Sequence, residues 1–204
     1  MAASIDFRDA FIAAPVLAVL RGLDPKRAVD AAEVCWTAGV VLVEVSRSHD
    51  PGFDAVRAVC ARAHDLGRVA GAGTICTAED VRAAVAARAA FAVAPGFSRE
   101  AADAAREVGL PYLPGVATPS EVQEALASGF RTLKLFPARE LGPSWIRALA
   151  GPFPEVRFVA VGGVTAANAS KFIEAGAIAV GIGSGLDLTD LSALLERLRV
   201  IGRD

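Results

Sequence analysis

Residues 156–183 read VRFVAVGGVTAANASKFIEAGAIAVGIG. An apolar run from Val156 to Val161 ends in the pair Gly162-Gly163. A stretch of helical character follows from Ala166 to Ala175, opened by Thr165 as a cap and closed by Gly176. A second apolar run then spans Ile178 to Gly183. Strand, glycine turn, helix, glycine and strand in about 28 residues is one βαβ unit, which brings its two strands side by side in parallel.

The same unit recurs outward through the chain. Apolar runs stand at Val16–Leu20, Val40–Val45, Arg68–Gly73, Phe91–Ala94, Pro111–Leu113 and Arg131–Phe136. Between them lie Pro25–Ala38, Gly52–Leu66, Ala78–Arg88, Ser98–Val108, Pro119–Ser128 and Pro143–Ala150, and Thr189–Ile201 closes the series. Each can place apolar residues at i, i+3 and i+4. Asp24-Pro25, Thr77, Ser98, Thr118-Pro119 and Gly142-Pro143 supply helix starts, and Gly39, Gly67, Gly109 and Gly129 supply helix ends. Eight strands alternating with helices predict an α/β fold of the (β/α)8 TIM-barrel type, a single domain over residues 1–204. At 204 residues it is near the minimum size for that architecture. Residues 1–14, helical from Ser4 to Ala13, are expected to cover the bottom of the barrel.

Composition narrows the class. The chain is 53% hydrophobic and 22% charged with a formal net charge of −2, which excludes a disordered chain and argues against a nucleic-acid partner. No apolar run approaches the ~20 residues needed to cross a bilayer, so no membrane partner is expected. The N-terminus MAASIDFRDAFIAAP lacks the basic start of a signal peptide. Cys35, Cys60 and Cys76 are too scattered for a disulfide framework, and His49 and His64 lie too far apart to make a usual metal cage. The expectation is a cytoplasmic protein with no metal. His49 and His64 read as solvent-exposed, and Trp36 and Trp145 as core anchors.

Lysine is scarce: Lys26, Lys134 and Lys171 stand among 21 basic residues. Lys134 lies within the apolar run Arg131–Phe136. Period-two alternation sends Leu133 and Leu135 to one face and Thr132, Lys134 and Phe136 to the other. The leucines belong against the helices, so Lys134 points into the barrel. Desolvation there lowers an ammonium pKa and frees an amine able to form a Schiff base with a ketone. A structural lysine paired with one carboxylate, or a phosphate-binding lysine, is the plainer reading. Glu44 is a second lumen-facing charge, sharing its face with Leu42 and Ser46. It is a general acid/base candidate or the partner in a buried salt bridge. Arg21 and Thr74 end the first and third strands. Both can hold a carboxylate, or serve as a loop cap and a helix N-cap respectively. Arg47 can reach a substrate or be a loop charge. Gly162, Gly163 and the run Gly181–Gly185 follow the last two strands, where barrels commonly bind phosphate. Tight left-handed turns would use the same glycines. Gly71-Ala72-Gly73 opens no dinucleotide fingerprint, since no acidic residue follows at a strand end.

The segments VLAVLRG (16–22), VEV (43–45), GAGTI (71–75), APGF (94–97), LPGVAT (113–118), LKLFP (133–137), GPFP (151–154), AVGGV (160–164) and GIGS (181–184) occur in one order and spacing. With them the chain resembles the 2-keto-3-deoxy-6-phosphogluconate / 2-keto-3-deoxy-6-phosphogalactonate aldolase family along nearly its full length. The resemblance implies a class I aldolase without cofactor. In that reading Lys134 is the Schiff-base lysine and Glu44 the general acid/base working through water. Thr74 holds the pyruvyl carboxylate, and Pro95 and Phe136 line the pyruvate pocket. Gly162, Gly163, Gly183 and Ser184 bind the phosphate. Some members carry Arg four residues after the catalytic Glu. Here that position is Ser48, with Arg47 one residue early, and the carboxylate role passes to Arg21 at the end of strand one. Val161 before the glycine pair is the galactonate-type residue, which favours 2-keto-3-deoxy-6-phosphogalactonate as the phosphorylated sugar acid. The gluconate epimer and 4-hydroxy-2-oxoglutarate are the alternatives. The resemblance also implies a homotrimer. More distant alternatives are an epimerase, a thiamine-phosphate-type synthase, or a non-catalytic binder of a phosphorylated ligand.

Overall fold

A computed structural model describes residues 5–47, 52–183 and 190–202. The strands are β1 (Val16–Arg21), β2 (Leu42–Ser46), β3 (Val69–Gly73), β4 (Ala92–Val93), β5 (Tyr112–Leu113), β6 (Gly115–Val116), β7 (Thr132–Leu135), β8 (Arg157–Val161) and β9 (Ala179–Ile182). All pair in parallel, in the order β5-β4-β3-β2-β1-β9-β8-β7-β6. The two ends of that order are neighbours in sequence. Pro114, which has no N–H to donate, splits one extended run into β5 and β6. The first half pairs with β4 (Ala92↔Tyr112) and the second with β7 (Gly115↔Lys134). Counting that run once leaves the eight strands of a TIM barrel.

The outer helices are α2 (Pro25–Thr37), α3 (Asp54–Asp65), α4 (Ala78–Ala86), α5 (Arg99–Glu107), α6 (Pro119–Ala127), α8 (Pro143–Ala150), α9 (Ala169–Glu174) and α10 (Leu191–Ile201), with α1 (Phe7–Ala13) before the barrel. The caps predicted at Asp24, Thr77, Ser98 and Thr118 form, whereas Thr165 does not cap α9, whose N-cap position is Asn168. Asp24 and Ser98 accept from the first turns of α2 and α5, and Thr77/Asp80 and Thr118/Glu121 close capping boxes. Two details differ from the periodicity. A short helix α7 (Ala138–Leu141) fills what reads as a loop. Helix α9 starts three residues later than Ala166 because the Asn168 side chain accepts from Thr165 N–H and turns the chain first.

Alternation along each strand builds two cores. Residues such as Ala18, Val43, Leu133 and Ala160 pack outward against the helices. Leu17, Val19, Leu42, Phe91, Leu113 and Val159 fill the lumen together with Phe7 and Phe11 of α1. The Phe7 ring meets Phe91 edge-on at 5.7 Å, so α1 plugs the N-terminal end of the barrel. Among the described residues no helix is long and apolar enough to cross a membrane.

Strand β3 shows how the lumen is shared. A Cβ at Gly71 would lie within 2.6 Å of ring carbons of Phe91, and one at Gly73 would strike the Glu44 carboxyl. The GAG motif is therefore a space requirement of two neighbours. Gly71→Ala is expected to cost about 1–3 kcal/mol of stability through overpacking. Gly96→Ala, where the added Cβ would meet no heavy atom within 4 Å, should be neutral. Urea unfolding of the two variants checks this; equal midpoints would refute it.

Candidate active site

At the C-terminal end of the barrel the lumen turns polar. Lys134 is 4% exposed and Glu44 1%, on β7 and β2 respectively. Both side chains face inward, as the outward packing of Leu133, Leu135, Val43 and Val45 requires. Among the described residues no carboxylate lies within ion-pair distance of the Lys134 ammonium, which sits 5.1 Å from the centre of the Phe136 ring. Its backbone N–H donates to Pro114 O at 2.8 Å, which fixes the strand beside the interrupted run.

Burial drives the Lys134 pKa below its usual value. Glu44 opposes that shift, Arg21 adds to it, and Cys76 opposes it weakly. Burial likewise lifts the Glu44 carboxyl above the ordinary carboxylate range, against the pull of Lys134 and Arg21. Glu44 Oε2 is buried without a hydrogen-bond partner among the described residues. A buried acceptor left open in this way is costly and suits a group that must take a proton from something that comes and goes.

The rim is built from adjacent strand ends. Arg21 stands in register with Ser46, and Ser46 with Gly73. Ser46 Oγ and Thr74 Oγ1 share a hydrogen bond of 2.9 Å. Thr74 has φ +64, a left-handed conformation that costs a β-branched residue about 1–3 kcal/mol. Arg21 is exposed. Pro95 is half-buried, and its carbonyl stands so close to Gly115 that no side chain fits there.

A cavity of about 620 Å³ opens between the ends of β1, β7, β8 and β9. Its walls include Arg21, Phe136, Val161, Gly162, Gly163 and Gly183. Gly162 and Gly163 take φ +100 and +69. A Cβ on Gly162 would press on the Phe136 ring and one on Gly163 on Arg139, so only glycine fits at this wall. The cavity thus gathers one cation and the glycine backbone that the sequence marks for phosphate. Glu140 of α7 also lines it, bonded to Arg139 at 2.8 Å. Lys134, Glu44, Thr74 and Pro95 are not among its lining residues. Ser184 lies outside the described residues, as do Ser48 and His49.

Two features escape a residue-by-residue reading. Ser46 is 2% exposed and bonded to Thr74; the period-two step from Glu44 points to it. Arg47 is bound to Asp80 at 2.7 Å and stacks 5.5 Å over the Phe53 ring. Nothing in the spacing signals that pair, since 33 residues separate the partners. No group of three or more metal-ligating side chains occurs among the described residues.

Set beside known proteins, residues 8–196 match a family model described as KDPG and KHG aldolase. A 2-dehydro-3-deoxy-6-phosphogalactonate aldolase of Escherichia coli K12 is 33% identical over 173 residues, covering 84% of each chain. A 2-dehydro-3-deoxy-phosphogluconate aldolase of Pseudoalteromonas atlantica is 31% identical over 170 residues, covering 83% of this chain and 78% of that one. Among solved structures, the KDPG aldolase of Legionella pneumophila, with pyruvate captured at low pH as a covalent carbinolamine intermediate, aligns with a TM-score of 0.80 at 29% identity. It covers 97% of this chain and 98% of that one.

Proposed function

This chain belongs to the KDPG and KHG aldolase family and is a lyase, and we propose that it cleaves a 2-keto-3-deoxy-6-phospho sugar acid through a Schiff base on Lys134. The observation that carries the reading is a lumen-facing lysine, almost dry and with no ion pair among the described residues, beside a buried acid with an open oxygen.

The depressed pKa frees the Lys134 amine at a lower pH than an ordinary lysine allows, and only the amine attacks a carbonyl carbon. Its addition to the C2 ketone gives a carbinolamine, and loss of water gives a protonated imine that accepts electrons. Glu44, through a water, takes the proton of the C4 hydroxyl. The C3–C4 bond then breaks, its electron pair forming the enamine, and C4 leaves as the aldehyde carbon of glyceraldehyde 3-phosphate. The proton held on Glu44 returns to C3, and hydrolysis frees pyruvate and restores the amine. A carboxyl with a raised pKa is suited to holding a proton between these two steps.

Arg21, Ser46 and Thr74 form an arc of donors at one rim, fitted to the substrate carboxylate. The glycine backbone of Gly162, Gly163 and Gly183 offers N–H groups to the phosphate, with Ser184 as its expected fourth member. Pro95 and Phe136 flank the pyruvyl carbons. Val161, 5% exposed at the cavity wall, gives an apolar surface where a hydroxyl side chain would favour the gluconate epimer. The substrate we assign is therefore 2-keto-3-deoxy-6-phosphogalactonate, with a homotrimer as the working assembly.

Borohydride reduction in the presence of pyruvate, followed by mass spectrometry, should place one adduct on Lys134; absence of the adduct would sink the Schiff-base reading. Assay of the two C4 epimers side by side should give the higher kcat/KM for the galactonate series. A preference for the gluconate epimer would overturn the substrate assignment and leave the chemistry intact.

A further inference from the structure

Thr74 is the strained residue at the rim, and its backbone must be held there by its surroundings. The hydrogen bonds around it converge on one side chain. Asp80 Oδ2 accepts from Cys76 N–H at 2.8 Å and from Thr77 N–H at 3.1 Å, and Asp80 N–H donates to Thr77 Oγ1. Asp80 thus fastens residues 76–77, which follow Thr74, to the start of α4. Its other oxygen, Oδ1, accepts from Arg47 Nη1 at 2.7 Å, and Arg47 is the residue after Ser46. Asp80 is 6% exposed, and the guanidinium lies over Phe53. The ion pair is therefore shielded on two sides and stronger than an open surface pair. The ring of contacts runs Ser46–Thr74, then residues 76 and 77, then Asp80, then Arg47 and back to Ser46.

We propose that the Arg47–Asp80 ion pair is a positioning pair that clamps the ends of β2 and β3, holding Ser46 and Thr74 in the geometry that receives the carboxylate of a 2-keto acid. The inference rests on the Schiff-base reading given above. It assigns Arg47 an indirect part: its guanidinium is committed to Asp80 rather than to the substrate. Cleaving the pair frees the β2 end, lets Thr74 relax from its left-handed conformation, and weakens the grip on the pyruvyl end alone. Lys134, Glu44 and the glycine wall of Gly162 and Gly163 stay in place, since none of them takes part in the ring.

Pyruvate is the probe, because it carries the carboxylate and the ketone and lacks the phosphate arm. The assay is solvent-deuterium exchange into its methyl group by the full chain, which requires imine and enamine formation only. Arg47→Met keeps an apolar stem over Phe53, and Asp80→Asn keeps an acceptor for the α4 cap. Each is expected to raise the KM for pyruvate about tenfold with kcat changed less than twofold. The double variant should be no worse than either single one, as for two halves of one interaction, and Arg47→Lys should recover most of the loss. Circular dichroism establishes that each variant is folded.

Unchanged KM in both single variants overturns the proposal. So does a tighter KM in Asp80→Asn, which would mean that a released Arg47 binds the carboxylate itself. An equal fall in kcat in all variants also overturns it, because the pair would then support the reacting groups. Failure of the underlying reading looks different: the unaltered protein would give neither exchange nor a borohydride adduct on Lys134.

Discussion

Lys134→Met will abolish aldol cleavage, with kcat/KM lower by about 10⁴-fold or more, since the covalent route disappears and Lys134 is the one lysine facing the lumen among the described residues. The same change made together with Glu44→Gln should raise stability. The two changes remove buried charges that make no ion pair with each other, and with them the cost of taking each charge out of water; both shifts here point that way. The folded-state pKa of Lys134 is depressed, so the unfolded chain binds more protons between that value and 10.5. In that window stability rises with pH, and below it the charged lysine costs the fold its full penalty. The pKa of Glu44 is raised, so the folded chain binds more protons above 4.5. Stability falls as pH rises through its window, and above it the carboxylate costs its full penalty. Between 4.5 and 10.5 both groups therefore carry a penalty, and the double variant should be the more stable throughout that range. Urea unfolding across the pH range, paired with a coupled pyruvate assay, tests both halves. Retained turnover in the single variant, or a double variant less stable than the parent at pH 7, would refute the account.

Glu44→Gln is expected to lower kcat by about 10²–10⁴-fold, the usual range for a lost general acid/base. Glutamine has the shape of the acid, so the space left by Gly73 still accommodates it and the fold should persist. Pyruvate and borohydride should still label Lys134 on longer incubation, because the amine is intact. A second readout separates this role from a structural one. Glu44 holds the Lys134 pKa up against burial, so its neutralisation should move the acid limb of kcat/KM to lower pH. In the unaltered protein that limb already lies below 10.5, with activity rising as the ammonium loses its proton. Turnover within tenfold of the parent, or an acid limb that moves upward, would contradict this assignment.

Much of the fold was legible because each βαβ unit carries its own punctuation. Thr77, Ser98 and Thr118 cap helices where spacing places them, and Gly39 and Gly176, at φ +98 and +103, end them. The inward direction of Lys134 and Glu44 followed from period two, since a one-residue slip would bury the charges among the helices. The helix α7 was not legible, being a single turn with no apolar period, and neither was the split of one strand at Pro114.

Local chemistry therefore determined the element order, the barrel class and the two inward charges, all of which depend on neighbours a few residues away. The family motifs added the direction of the chemistry. Only the tertiary structure decided the rest. It showed why β3 needs two lumen glycines, that Ser46 and Thr74 share a bond, and that Arg47 is tied to Asp80. It also showed that Lys134 has no carboxylate at ion-pair distance among the described residues. Those facts depend on distances between strands far apart in sequence, and burial, which sets both pKa shifts, exists only once the barrel has closed.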